Sequence, residues 1–340
     1  MVITDCWLLY GEITKHVILK VGGAVLKRRL FLLVVAIMAF TCLLTGCKKK
    51  ETISTVSLRT WQDSKGNTVK VVEKPQRIVS MMLDADETIM ELVPPSRIAA
   101  LTYLSDDPGI SHISDRSKQV KGRMKGQSAE QILSLKPDLV LIPDFWSPTV
   151  LQTLRDMKIP VYVYKTPYTL SAIRETIKEI AGVVGEPEKG KELIQTFDNR
   201  LKQLQIRIEP IRNQPAKKVI AITGAGAYGA RGSLYDDMCG FLHINNCQRD
   251  LKLDKGTMLP KELIVQANPD LIIVPSWNSP GMQNTQNVQE VLEDPSLKGV
   301  TAVRTKNVKA LPGQVLYCIN HHVADSMETL AKAVYPDLFK

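Results

Sequence analysis

Glu130-Gln-Ile-Leu-Ser-Leu-Lys-Pro-Asp-Leu-Val-Leu-Ile-Pro143 aligns without gaps to Glu262-Leu-Ile-Val-Gln-Ala-Asn-Pro-Asp-Leu-Ile-Ile-Val-Pro275, 132 residues further on. Each copy reads as a short helix, a Pro-Asp turn and a strand. Leu139–Ile142 and Leu271–Val274 are unbroken apolar runs. Such runs suit strands covered on both faces by helices, because both rows of side chains are then buried. Two copies this far apart imply two similar α/β lobes and not a solenoid of short repeats.

Outward from the repeat, each lobe opens with a further strand of buried type, Arg77–Ser80 in the first and Lys218–Ile222 in the second. In the first lobe Ile98–Leu101, a helix over 130–136, Leu139–Ile142, a helix over 148–157 and Val161–Tyr164 follow in alternation. A βαβ series of this kind builds a mainly parallel sheet. Asp63-Ser-Lys-Gly66 between two short β-rich runs predicts a hairpin ahead of the first lobe. Between the lobes, Leu193, Phe197, Leu201, Leu204, Ile208 and Ile211 recur every three or four residues. That is one apolar stripe on one long helix, started after Gly185-Glu186 and ended by Pro210 and Pro215. The expected fold is α/β, with two similar lobes of mainly parallel sheet joined by one long backbone helix. The expected divisions are a leader over 1–46, a tether over 47–58, an N-terminal lobe over 59–170, a helical connector over 171–215 and a C-terminal lobe over 216–340. A stiff helical connector predicts only modest movement of one lobe against the other.

The 340 residues are 44% hydrophobic, enough for each half to bury a core. The formal charge is +9, of which residues 1–46 supply +3, so the remainder is mildly and diffusely basic. No long cationic run follows Lys48–Lys50, and nucleic acid is not an expected partner. Lys27-Arg28-Arg29, the apolar stretch Leu30–Leu44 and then Leu44-Thr45-Gly46-Cys47 have the order of a secretory signal. The apolar stretch is shorter than the roughly 20 residues of a membrane span. Its end resembles a bacterial lipobox, in which the cysteine is joined to diacylglycerol, so Cys47 is the expected lipidation site. Cys239, Cys247 and Cys318 remain beyond it. A Cys239–Cys247 disulfide and free thiols both stay open. No zinc-type Cys/His spacing is seen, and no metal site is expected.

In order and spacing, several segments together carry a resemblance. They are the Asp63-x-x-Gly-x-Thr-Val hairpin, Pro75-Gln-Arg-Ile-Val-Ser80, the repeat itself, Asn307-Val-Lys-Ala-Leu-Pro and Ala333-Val-Tyr-Pro-Asp-Leu-Phe. From about residue 59 onward the chain resembles the bacterial binding proteins for iron–siderophore, haem and cobalamin, whose lobes are joined by a backbone helix. The family's usual Ser-Pro-Ser-x-Thr-Glu is replaced here by the segment Met81–Glu87. The resemblance implies an exported substrate-binding lipoprotein of an ATP-driven importer, anchored through Cys47 at the outer face of the cell membrane, or periplasmic. It implies a monomer with no cofactor of its own. An iron–siderophore chelate ranks first as transported ligand, with a corrinoid or haem as alternatives. It also implies that Glu130 and Glu262, one on each lobe at matching positions, dock on arginines of a two-fold ABC permease that works with its ATPase. A helix cap offers a plainer role for that neighbourhood, with Ser128 and Gln131 as a capping box and Pro260 at a first helical position.

Ligands of open parallel sheets sit beyond the C-terminal ends of the strands. That rule selects Trp146 and Trp277, placed alike by the repeat, and Tyr103 after Ile98–Leu101. It also selects Tyr228 and Arg231 in the Gly-rich loop 224–233. An indole offers large flat contact, and the guanidinium fork of Arg231 suits a carboxylate or catecholate. Arg123 and Lys125 add positive charge. For haem, the axial candidates are Met81, Met82, Tyr317 and His321, with His322 beside it. No nucleophile elbow, HExxH or catalytic carboxylate pair is present. An anchored α/β enzyme acting on a cofactor-like substrate remains the alternative from a different class, since a fold alone does not fix function.

Overall fold

The computed structural model describes residues 57–223, 228–251, 259–276 and 287–340. The leader, Cys47, the tether up to residue 56, Trp277 and the start of the Gly-rich loop lie outside them. The chain begins with the antiparallel hairpin β1 (Leu58–Gln62) and β2 (Thr68–Val72). Asp63 closes it by accepting the backbone N–H groups of Lys65 and Asn67 at 2.9 and 2.8 Å. Arg155 donates to the same carboxylate at 2.8 Å and ties the hairpin to the lobe behind it.

The first lobe continues with β3 (Ile78–Ser80), α1 (Leu83–Leu92), β4 (Ile98–Thr102), β5 (Gly122–Met124), α2 (Ala129–Ser134), β6 (Leu139–Pro143), α3 (Pro148–Asp156) and β7 (Val161–Tyr164). Its strands form a parallel sheet in the order β5-β4-β3-β6-β7. Two helices follow, α4 (Leu170–Val183) and α5 (Pro187–Ile208). The second lobe holds β8 (Lys217–Ala221), α6 (Leu234–Phe241), β9 (Ile244–Asn246), α7 (Lys261–Ala267), β10 (Leu271–Pro275), α8 (Val288–Glu293), α9 (Thr301–Arg304), β11 (Val308–Leu311), α10 (Gly313–Leu316) and α11 (Val323–Val334). Its sheet is also parallel, in the order β11-β10-β8-β9. If β8, β9, β10 and β11 are matched to β3, β4, β6 and β7, the two orders coincide, and β5 is an added edge. The internal repeat is thus a repeat of topology.

The Pro-Asp turn has a physical role in both lobes. Asp138 accepts the N–H groups of Gln76 and Arg77 at 2.6 and 2.8 Å, and Asp270 accepts that of Lys218 at 2.8 Å. Each carboxylate therefore pins the start of its own strand to the start of the adjoining central strand. Two residues earlier the chain must turn out of the helix, and Lys136 and Asn268 both take positive φ, 48° and 43°.

The long helix α5 starts at Pro187, and its 22 residues span about 33 Å. Phe197, Leu201, Leu204 and Ile208 enter the core of the second lobe. The structure adds a second connecting element. The first half of α4 (Leu170, Ile173, Ile177) packs in that same core, while its second half (Ile180, Ala181, Val183) and the capping residue Val184 pack in the core of the first lobe. A side chain at Gly190 of α5 would meet Ala181 Cβ at 2.4 Å, so glycine there lets the two helices pack closely. Gly185, between them, has φ +81° and faces the carbonyl of Glu73, which an added Cβ would meet at 2.3 Å. Only glycine fits both demands. Among the described residues, no helix is long and apolar enough to cross a membrane.

Candidate functional site

The loops that leave the C-terminal ends of the two sheets touch one another. Gln314, just after β11, donates to the carbonyls of Pro108 and Ser111, in the loop after β4, at 2.8 and 2.6 Å. Leu170, after β7, donates its N–H to Asp237 of α6 at 2.7 Å. Asn320 donates to Glu87 of α1. Both sets of strand ends are therefore turned to one seam, where a ligand between the lobes would meet both.

On the first lobe's side of that seam, three strands are each followed by an exposed aromatic ring. These are Tyr103 after β4, Phe145 after β6 and Tyr168 after β7, 47%, 57% and 51% exposed. Of these, the sequence reading selects Tyr103 alone. It selects Trp146 in place of its neighbour, yet Trp146 is only 7% exposed and packs with Val79, Met81, Ile142 and Leu151 in the core beneath the strand ends. One step along a loop exchanges a core ring for a solvent-facing ring, and residue type does not reveal which is which. Phe145 and Tyr168 obey the same strand-end rule and were legible from it.

Met81 belongs to that same core, with its N–H donated to the Leu141 carbonyl at 3.1 Å. Met82 is half-buried at the N-cap of α1. The segment that replaces the family's usual motif buries three acids on α1. Tyr164 donates to Asp84 at 2.9 Å, and Thr102 donates its N–H to Asp86 at 2.9 Å. Burial pushes both carboxyls up to about 7, against hydrogen bonds that pull them down. Glu87 differs. Burial raises it, but the His112 and Asn320 contacts outweigh burial and hold it below the ordinary value.

On the second lobe, Tyr228 is half-buried and donates its hydroxyl to the Leu316 carbonyl. It contacts Tyr235 at 4.9 Å and Tyr317 at 6.0 Å between ring centroids. Arg231 is exposed and forms an ion pair with Asp250. Arg123 is not a free ligand cation. Both oxygens of Asp106 take its guanidinium at 2.7 Å, and the carbonyls of Val120, Gly122 and Ser117 take the rest. Lys125 is exposed. Cys239, Cys247 and Cys318 are free thiols.

Glu130 and Glu262 are both exposed, each in the first turn of its helix. Ser128 caps α2, accepting the Gln131 N–H at 3.2 Å, but Gln131 turns its amide to the Arg123 carbonyl and no capping box forms. Pro260 is the N-cap of α7, one place before the first helical position.

The fold also gathers histidines that sequence spacing does not connect. His112 stacks on His322 at 4.4 Å, and His322 lies 4.1 Å from His321, centroid to centroid. Glu87, His112 and Cys318 form one group of donor atoms within 4.8 Å of one another, and Glu91, His321 and His322 form a second. The adjacent pair at 321–322 is the only hint the sequence carries. His112 comes from the other lobe, so its approach is a product of the fold.

Two similar parallel-sheet lobes, linked by a pair of packed helices and facing one another with their strand ends, have the architecture of a two-lobed solute-binding protein. The sequence pattern described as periplasmic binding protein matches residues 87–315. The chain belongs to the periplasmic binding protein family, whose members are solute-binding components of transport and not enzymes.

Its relatives agree in type. The uncharacterized ABC transporter substrate-binding lipoprotein YvrC of Bacillus subtilis (strain 168) is 22% identical over 332 residues, 90% of this chain and 97% of the relative. The probable siderophore-binding lipoprotein YfiY of the same organism is 24% identical over 207 residues, 58% of this chain and 62% of YfiY. A vitamin B12-binding protein of Vibrio parahaemolyticus is 25% identical over 136 residues, 40% and 48% of the two chains. Among solved structures, the periplasmic haem-binding protein RhuT from Roseiflexus sp. RS-1, in its apo form, superposes with a TM-score of 0.65 at 23% identity. The match covers 77% of this chain and 99% of RhuT, a likeness of fold.

Proposed function

We propose that this chain is the exported, lipid-anchored binding component of an ATP-driven importer, and that it captures an iron–siderophore-type chelate between its lobes. The observation that carries the reading is the row of exposed rings, Tyr103, Phe145 and Tyr168, at the ends of three strands facing the seam. Water does not favour three large rings in the open, and a chelate with flat conjugated arms would cover them. Arg231 meets the anionic side of such a chelate by exchanging Asp250 for the ligand. The names of YfiY and of the vitamin B12-binding relatives support a bulky chelate over a bare ion. Cys47 carries the lipid, and Glu130 and Glu262 meet one permease subunit each. Exposed charges at matching places on two lobes suit a two-fold partner, which they orient more than they bind.

The test is a fluorescence titration of the purified protein with a ferric catecholate, a ferric hydroxamate, haem and cyanocobalamin. Saturable quenching by a ferric chelate, weakened in Tyr103→Ala and Tyr168→Ala, is the expected result. Saturation by haem or cobalamin alone would move the ligand to that class, and saturation by none would overturn the reading.

A further inference from the structure

His321 is 8% exposed, and neither of its ring nitrogens has a hydrogen-bond partner. Nε2 of His322 is buried without a partner as well. Imidazole nitrogens left this way carry a desolvation cost that no hydrogen bond among the described residues offsets. They stand at the seam where α1 of the first lobe, the 318–322 loop of the second lobe and the connecting helix α5 meet. A cavity of about 220 Å³ opens beside them, bounded by Glu91, Phe197 and Arg200 among others.

We propose that Glu91, His321 and His322 bind a divalent transition metal of the zinc class. An N,N,O donor set suits zinc, cobalt or nickel and is too poor in oxygen for calcium or magnesium. The three donor atoms lie within 4.8 Å of one another. Two bonds of 2.0–2.1 Å at a tetrahedral angle need about 3.4 Å, which side-chain rotation supplies. Nδ1 of His322 lies 3.6 Å from Asp325, an orientation that leaves Nε2 to the metal, as carboxylate-backed metal histidines do. Glu91 already takes Arg116 on Oε1, so a metal shares that carboxylate or binds its second oxygen. The cavity leaves room for water as a fourth ligand. The companion group Glu87, His112 and Cys318 is the weaker site, because Asn320 already serves Glu87 and takes the thiol of Cys318 at 3.3 Å. A metal here joins α1 to the second lobe's loop and so clamps the lobes together.

The experiment uses the full mature protein, stripped with a chelator. Zinc chloride is titrated by calorimetry and cobalt chloride by visible absorbance. We expect one equivalent bound at micromolar affinity or tighter, a tetrahedral cobalt band, and a rise in Tm with zinc. Glu91→Gln and His322→Gln should each weaken binding at least about tenfold, whereas Cys318→Ser and His243→Gln should leave it unchanged. Glu91 is half-buried at a helix end, so its variant tests the site without disturbing the core. Absence of stoichiometric binding, binding that survives Glu91→Gln, or loss on Cys318→Ser would each overturn the assignment.

Discussion

Phe145 and Trp146 are neighbours with opposite duties, and substitution separates them. Trp146→Ala should cost about 3–5 kcal/mol of stability, the usual loss for a large core ring. Phe145→Ala should stay within about 0.5 kcal/mol of wild type in stability. Its chelate affinity should fall several-fold, as loss of one ring contact of about 0.5–1.5 kcal/mol implies. Urea unfolding and a binding titration on both variants check the contrast. Asp86 offers a second test at this scale. Its carboxyl, like that of Asp84, sits at about 7 in the folded protein because burial disfavours its charge. The unfolded chain releases the same proton near pH 4. A raised acid therefore stabilises fully below about pH 4 and loses that contribution as pH climbs toward 7. Asp86→Asn does not titrate, so from pH 4 to 7 the wild type should lose at least about 1 kcal/mol relative to it. Parallel stability profiles would remove the buried acid from the account. The strand-end rule points to the loops that hold these residues but not to the direction of each ring within them, which is settled by packing against residues distant in the chain.

Among the elements, the helix–Pro-Asp–strand unit was the most legible feature, because burial on both faces leaves an unbroken apolar run. Its two copies solve one backbone problem with different residues. Asn268 tolerates positive φ and its side chain accepts the Thr301 N–H at 2.8 Å, whereas Lys136 takes the same conformation with no such help. Lys136→Asn should accordingly raise stability by about 0.5 kcal/mol, and Asn268→Lys should lower it by about 1–2 kcal/mol. Chemical denaturation of both variants tests this, and equal effects at the two sites would contradict it. The long helix was also visible as a stripe of apolar residues. The role of α4 was not, since its two halves read as one amphipathic helix and only the fold shows them buried in different lobes. The short strands β5 and β9 were missed for a similar reason. Three residues at a sheet edge carry too little pattern to read.

At the scale of the whole molecule, the connecting pair of helices predicts a protein that holds its lobes in place and binds by filling the space between them. Glu130 and Glu262 are exposed in the first turns of their helices, one on each lobe. Reversing both to Lys should abolish uptake in cells while leaving chelate affinity within about twofold, because exposed charges steer more than they bind. Normal uptake by that double variant would remove them from the docking face. The central claim is that this chain captures a chelate and hands it on unchanged. The most direct measurement loads the purified protein with a ferric siderophore, separates the complex, releases the ligand and compares it with the starting chelate by absorbance and mass spectrometry. The account predicts one chelate per chain, recovered intact. No retained chelate, or a ligand that returns chemically altered, would contradict it.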